Sequence, residues 1–90
     1  MVKSKLDFRR EEIKVGVLYG MFFPKRVVNI VKSGTHSVIV KLVDYDSKHT
    51  NEMYGLLVER STGWYEMEKI STLSEIKNLY TVQEKIKIAE

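Results

Sequence analysis

The chain has 90 residues, 43% of them hydrophobic and 30% charged, with a formal net charge of +3. That length supports one domain spanning 1–90, because two independent cores would each be too small to stand alone. The absence of cysteine excludes a disulfide scaffold, thiolate chemistry and sulfur-ligated zinc, and no apolar run approaches the roughly 20 residues of a membrane-spanning helix.

Residues 1–12 are polar and charged, with Val2, Leu6 and Phe8 as the large apolar exceptions. No apolar stretch follows the charges, as a secretory signal would require, so a cytoplasmic setting is expected. This segment reads as an N-terminal arm or one short helical turn. From Ile13 to Tyr19, apolar side chains recur at every second position, which predicts a first strand, with Gly16 marking a bulge or a close backbone approach. Gly20 and Pro24, the sole proline, then punctuate a loop.

Residues 25–32 and 37–44 read as two strands joined by the turn Ser33–His36, a hairpin. Val28 and Ile30 are expected on one face, and Val38, Val40 and Leu42 on one face of the partner strand. The opposite faces are also half apolar, which a sheet buried on both sides or strongly bent would explain. A polar loop over 45–52 leads to a fourth strand, 53–60. The short turn Ser61–Gly63 then leads to a fifth strand, 64–70. Leu73, Ile76, Leu79 and Tyr80 recur at helical spacing, and Thr72 with Glu75 fits a capping box, so 72–80 is a predicted helix. Residues 81–90 alternate Ile86 and Ile88 with Lys85 and Lys87 and read as an edge strand, with helix continuation as the alternative.

The composition agrees with a mainly β fold: 11 Val and 7 Ile stand against one Ala, a balance that favours strands. A five-stranded core over 13–70 with one short α-helix implies a small bent sheet or a β-barrel of five to six antiparallel strands. In layout, residues 13–80 resemble an SH3-like barrel: strand, aromatic loop, hairpin, loop, hairpin, short helix. One fold hosts many functions, so that resemblance assigns none.

Charge is unevenly spread. Residues 1–32 carry a net +5 and residues 33–90 a net −2, which places basic potential in the first third. There Tyr19, Met21, Phe22, Phe23, Lys25 and Arg26 combine aromatic and cationic side chains on a loop, the types that carry binding energy at protein interfaces. The alternative is that Phe22 and Phe23 close the end of a barrel. Lys14, Lys25, Arg26 and Lys32 could instead meet phosphates while Phe22 or Phe23 stacks on a base.

Other constellations carry less. Asp44, Asp46, His49 and Glu52 share a polar loop but lack the spacing of a calcium loop. Glu66 and Glu68 read as a solvated stripe beside Trp64. Trp64 reads as core, with Tyr65 the more exposed of the two. No phosphate-binding glycine loop or hydrolase motif is present. The residues therefore predict a non-enzymatic module without catalytic residue, metal or cofactor. Its expected partner is a macromolecule: a protein first, nucleic acid as the alternative, with self-association through an edge strand as a further possibility. The excess of Lys over Arg, 11 to 4, suits AT-rich coding. On that ground the expected setting is a small phage or mobile-element accessory protein that modulates a host factor.

Overall fold

A computed structural model describes residues 2–3, 8–16, 18–19, 25–44 and 53–89. Four long strands carry the fold: β4 (Lys25–Ser33), β5 (Ser37–Asp44), β6 (Met53–Ser61) and β7 (Trp64–Ser71). They form a continuous antiparallel meander. Three two-residue strands extend it: β1 (Val2–Lys3), β2 (Phe8–Arg9) and β3 (Leu18–Tyr19). The order across the sheet is β1-β3-β4-β5-β6-β7-β2. Its two end strands do not pair with each other among the described residues, so the sheet is open rather than a closed barrel. One helix, α1 (Leu73–Ala89), follows β7 directly.

The sheet is buried on both faces. One face gathers Val27, Val38, Val40, Leu42, Leu57, Tyr65 and Met67. The other gathers Ile39, Leu56 and Val58 beneath Ile76 of α1. Burying a side chain of this size stabilises the fold by about 1.5–3 kcal/mol, so alternation along β5 supports both layers. Bulges let four strands do this. Pairing slips between Val27 and Asn29 and between Ile30 and Lys32 on β4, and Arg60 of β6 and Glu68 of β7 are likewise extra residues. A bulge bends its strand and raises the local twist.

The bulges also correct the expected facing. Val27, not Val28, shares a face with Ile30, because the extra residue at Val28 shifts the alternation by one. Residues 13–19 do not form one strand. Arg10–Glu12 make a short 3-10 turn, residues 14–16 turn with Gly16 at φ 97°, and Leu18 and Tyr19 form a two-residue strand. The Gly16 N–H donates to the Val27 carbonyl at 2.8 Å, and Leu18 and Tyr19 pair with Arg26 and Lys25, so the segment joins the sheet beside β4 through a short ladder.

The largest correction is at the C-terminus, where 81–89 continue the helix instead of forming an edge strand. Thr72 does cap α1, its Oγ1 accepting from the Glu75 N–H at 3.4 Å. The Glu75 carboxylate, however, turns to Ser71 Oγ at 2.5 Å and to Lys69 Nζ, so the reciprocal half of the box is replaced. With neither glycine nor proline to stop it, the helix runs on to Ala89 and carries Glu84 to the β4–β5 turn. The period-2 pattern of 85–88 is too short to override a helix already formed and packed.

Candidate functional site

β4–β5 and β6–β7 are successive hairpins of one meander, so their turns lie at the same end of the sheet. The Glu59 N–H donates to the His36 carbonyl at 2.9 Å and ties them together. Five side chains organise this end.

Arg10, delivered by the 3-10 turn, spreads its guanidinium over the first hairpin. It donates through Nε to Tyr65 Oη at 3.0 Å, through Nη1 to Ser33 Oγ at 2.8 Å, and through Nη2 to the Gly34 carbonyl. It also lies over the Tyr65 ring, 5.3 Å from the centroid. Glu84 holds the same hairpin from α1. Its Oε1 accepts from the His36 N–H at 3.2 Å and from Ser37 Oγ at 3.1 Å. A cation thus meets the carbonyls of the turn and an anion meets its donors, each charge matched to the polarity of the groups it touches. Gly34 makes the close approach possible. A β-carbon there would collide with both Glu84 Oε1 and Tyr80 Oη.

In the second hairpin, Glu59 accepts from the Gly63 N–H at 2.9 Å and pairs with His36 Nδ1 at 3.0 Å. Gly63 adopts φ 81°, a conformation that glycine takes without penalty. Beyond it Trp64 starts β7, 39% exposed, with the Arg9 guanidinium 5.0 Å from its ring centroid. Tyr65 is buried at 3%. The expected roles of these two aromatics are therefore exchanged: Tyr65 has the same phase as Met67 in the core, while Trp64 lies at the strand end on the opposite face. Glu66 and Glu68 are not a bare solvated stripe, since Arg60 reaches both, Nε to Glu66 at 3.8 Å and Nη2 to Glu68.

Burial pushes the Tyr80 phenol above its usual range, and Glu84 adds to the effect while Arg10 opposes it. Hydrogen bonds from Lys69 and Ser71, with the charge of Lys69, hold the Glu75 carboxyl below its usual range.

The expected loop site is only partly in view. Met21, Phe22 and Phe23 lie outside the described residues, as do Asp46, His49 and Glu52 of the polar loop. Tyr19 pairs with Lys25 across β3 and β4, which draws the two ends of the aromatic segment together. Lys25 Nζ is bound to Asp44 Oδ1 at 2.9 Å, so Asp44 serves an ion pair. Among the described residues no three His, Asp or Glu side chains group as metal ligands. Lys14 and Arg26 are exposed near that end of β4. Lys32 sits near the other end, its Nζ 4.9 Å from the Tyr80 ring centroid, about 20 Å away along a strand rising 3.4 Å per residue. The four basic residues are thus not one patch.

Arg9, Arg10, His36, Glu59 and Glu84 were not singled out by sequence as a group. The signal available was the meander itself, since two consecutive hairpin turns must share an end of the sheet. Comparison with protein-family models, with curated proteins and with solved structures gives no match.

Proposed function

We propose that the chain is a non-enzymatic binding module that engages a protein partner, with the turn end of the sheet as a principal contact surface. The observation that carries this reading is Trp64, a large aromatic left 39% exposed beneath the Arg9 guanidinium. Trp and Arg dominate the energy of protein interfaces. A Trp fixed by a stacked cation, next to a turn that Glu59 holds through the Gly63 N–H, loses little freedom on binding, which favours affinity. The aromatic segment from Tyr19 to Arg26 serves as a second contact at the opposite end of β4. The lysine-rich composition supports a phage or mobile-element accessory protein as the setting, with a host factor as the partner.

The test compares the wild-type chain and Trp64→Ala as baits in host lysate, with melting curves recorded for both. A protein retained by the wild type and lost with a correctly folded Trp64→Ala supports the reading. No retained protein, or equal retention by both baits, overturns the role of Trp64. The alternative partner is nucleic acid, met through Lys14, Lys25, Arg26 and Lys32. A gel shift whose affinity falls steeply with salt would support that alternative.

A further inference from the structure

We propose that His36 and Glu59 form a proton-responsive clamp that sets how firmly the β6–β7 turn holds Trp64, so that the contact surface is tightened at mildly acidic pH.

Glu59 acts in two directions at once. Its Oε1 meets His36 Nδ1 at 3.0 Å, and its Oε2 accepts from the Gly63 N–H at 2.9 Å. The first contact crosses from one hairpin turn to the other. The second fixes the residue that precedes Trp64. The backbone repeats the crossing, because the Glu59 N–H donates to the His36 carbonyl at 2.9 Å. Pairing of β6 with β7 slips between Glu59 and Ser61, so the ladder is irregular where Trp64 enters the sheet. The Glu59 carboxylate supplies a hold at that place.

The imidazole makes this hold depend on protons. Histidine is the side chain whose ordinary titration falls between about pH 5 and about pH 8. His36 and Glu59 are 32% and 24% exposed. Solvent protons therefore reach the ring, while partial burial leaves the pair less screened than one on the open surface.

The groups that face His36 favour the charged ring. From β6 comes the Glu59 carboxylate, with Arg60 directed to Glu66 and Glu68. From α1 comes Glu84, which accepts the His36 N–H. Tyr80 of α1 lies beside Gly34, with the Lys32 ammonium over its ring. From the 3-10 turn, Arg10 donates to the Gly34 and Thr35 carbonyls. Two carboxylates thus touch His36 directly, and Arg10 touches the two residues before it.

With Nδ1–H directed at Glu59, the proton enters at Nε2. The bond then carries the attraction of two full charges in addition to the hydrogen bond. When the ring is neutral that attraction is gone, the carboxylate turns more freely, and its hold on the Gly63 N–H weakens. Trp64 is then less firmly kept beneath the Arg9 guanidinium. The consequence for partner capture rests on the reading of Trp64 as a contact residue; the proton response itself does not.

Trp64 is the sole tryptophan, so acrylamide quenching of the full chain's intrinsic fluorescence reports on it alone. From about pH 5 to about pH 8, quenching should be weakest at the acid end and rise through a one-proton transition. His36→Gln and Glu59→Gln should each flatten the profile. Substituting the other histidine, His49→Gln, should leave it in place. Melting curves check the fold of each variant. In the wild type, the Gly63 amide resonance should shift with the same midpoint as the His36 ring, a measurement that needs no variant. A flat wild-type profile, a transition that persists in folded His36→Gln or Glu59→Gln, one lost in folded His49→Gln, or a Gly63 amide that stays still while His36 titrates would each overturn the clamp. Equal capture of a partner by the wild type and Trp64→Ala would end the contact reading and leave this response intact. A flat profile would end the clamp and leave that reading standing.

Discussion

Glu84 Oε1 accepts a hydrogen bond at 3.1 Å from Oγ of Ser37, a side chain fully removed from solvent. This contact joins the last third of α1 to the β4–β5 turn, and the His36 N–H shares the same oxygen. Replacing Glu84 with Ala leaves the Ser37 hydroxyl and the His36 N–H without that acceptor. An unsatisfied buried donor costs about 1–3 kcal/mol, so Glu84→Ala should lower the melting temperature by several degrees, at about 4–8 °C per kcal/mol for a domain of this size. Ser37→Ala should cost less, because the His36 donor keeps its partner. Thermal denaturation of the two variants orders them.

The same carboxylate limits what can occupy position 34. Gly34→Ala places a methyl group against Glu84 and Tyr80, and overpacking of this kind costs about 1–3 kcal/mol. The penalty should shrink in a Glu84→Ala background, since half of the obstruction is gone. A double-mutant cycle read by urea denaturation measures the coupling. Additive effects would mean that the turn relaxes away from the helix instead.

The strands β4 and β5 were legible as Val- and Ile-rich runs, and β6 and β7 as apolar or alternating stretches on either side of the short turn Ser61–Gly63. The periodicity of Leu73, Ile76, Leu79 and Tyr80 marked the face of α1 that packs on the sheet. Bulges were not legible. Nothing at Val28 or Glu68 signals an extra residue, yet each reverses which neighbours share a face. The organisation of the turn end was hidden for another reason. Arg10 reaches Ser33 and Tyr65 across 23 and 55 residues, and such pairs follow from the sheet order rather than from local pattern. Glu84 was hidden by the strand-like alternation around it, which gave the tail the wrong period.

Trp64 and Tyr65 are neighbours with opposite consequences for stability. Tyr65→Ala removes a ring buried in the larger apolar cluster and should cost about 3–5 kcal/mol. Tyr65→Phe keeps the ring and loses the bond from Arg10, a change of about 1 kcal/mol. Trp64→Ala removes an exposed ring and its stacking with Arg9, at about 1 kcal/mol or less. Chemical denaturation of the three variants checks the order. A loss at Trp64 as large as that at Tyr65 would place the indole in the core.

At the other end of α1, Glu75 supplies an acid dependence. Its carboxyl titrates below the ordinary value of 4.5 because Lys69 and Ser71 donate to it. A depressed folded-state pKa contributes stability above the unfolded value, and that contribution is lost as pH falls through the folded one. The wild type should therefore lose part of its advantage over Glu75→Gln as pH falls below about 4.5. Melting curves of both chains between neutral and acid pH should converge, and a constant gap would mean that the Lys69 contact is not ionic.

Alkaline pH probes the turn end through Tyr80. Burial and the charge of Glu84 raise its phenol above the ordinary value of 10.0, while Arg10 opposes the rise. A phenol whose folded pKa is raised ionises more readily in the unfolded chain. It therefore destabilises the fold as pH climbs through the unfolded value and toward the folded one. The absorbance titration of tyrosinate should show a phenol ionising above the ordinary value of 10.0, assigned to Tyr80 by its loss in Tyr80→Phe. Replacing Arg10 with Gln removes the neighbouring cation and should move that late step further up. Replacing Glu84 with Gln removes the neighbouring anion and should move it down. A step that stays where it is in both variants would mean that burial alone sets it, and that the two charges bracketing the turn do not act on Tyr80.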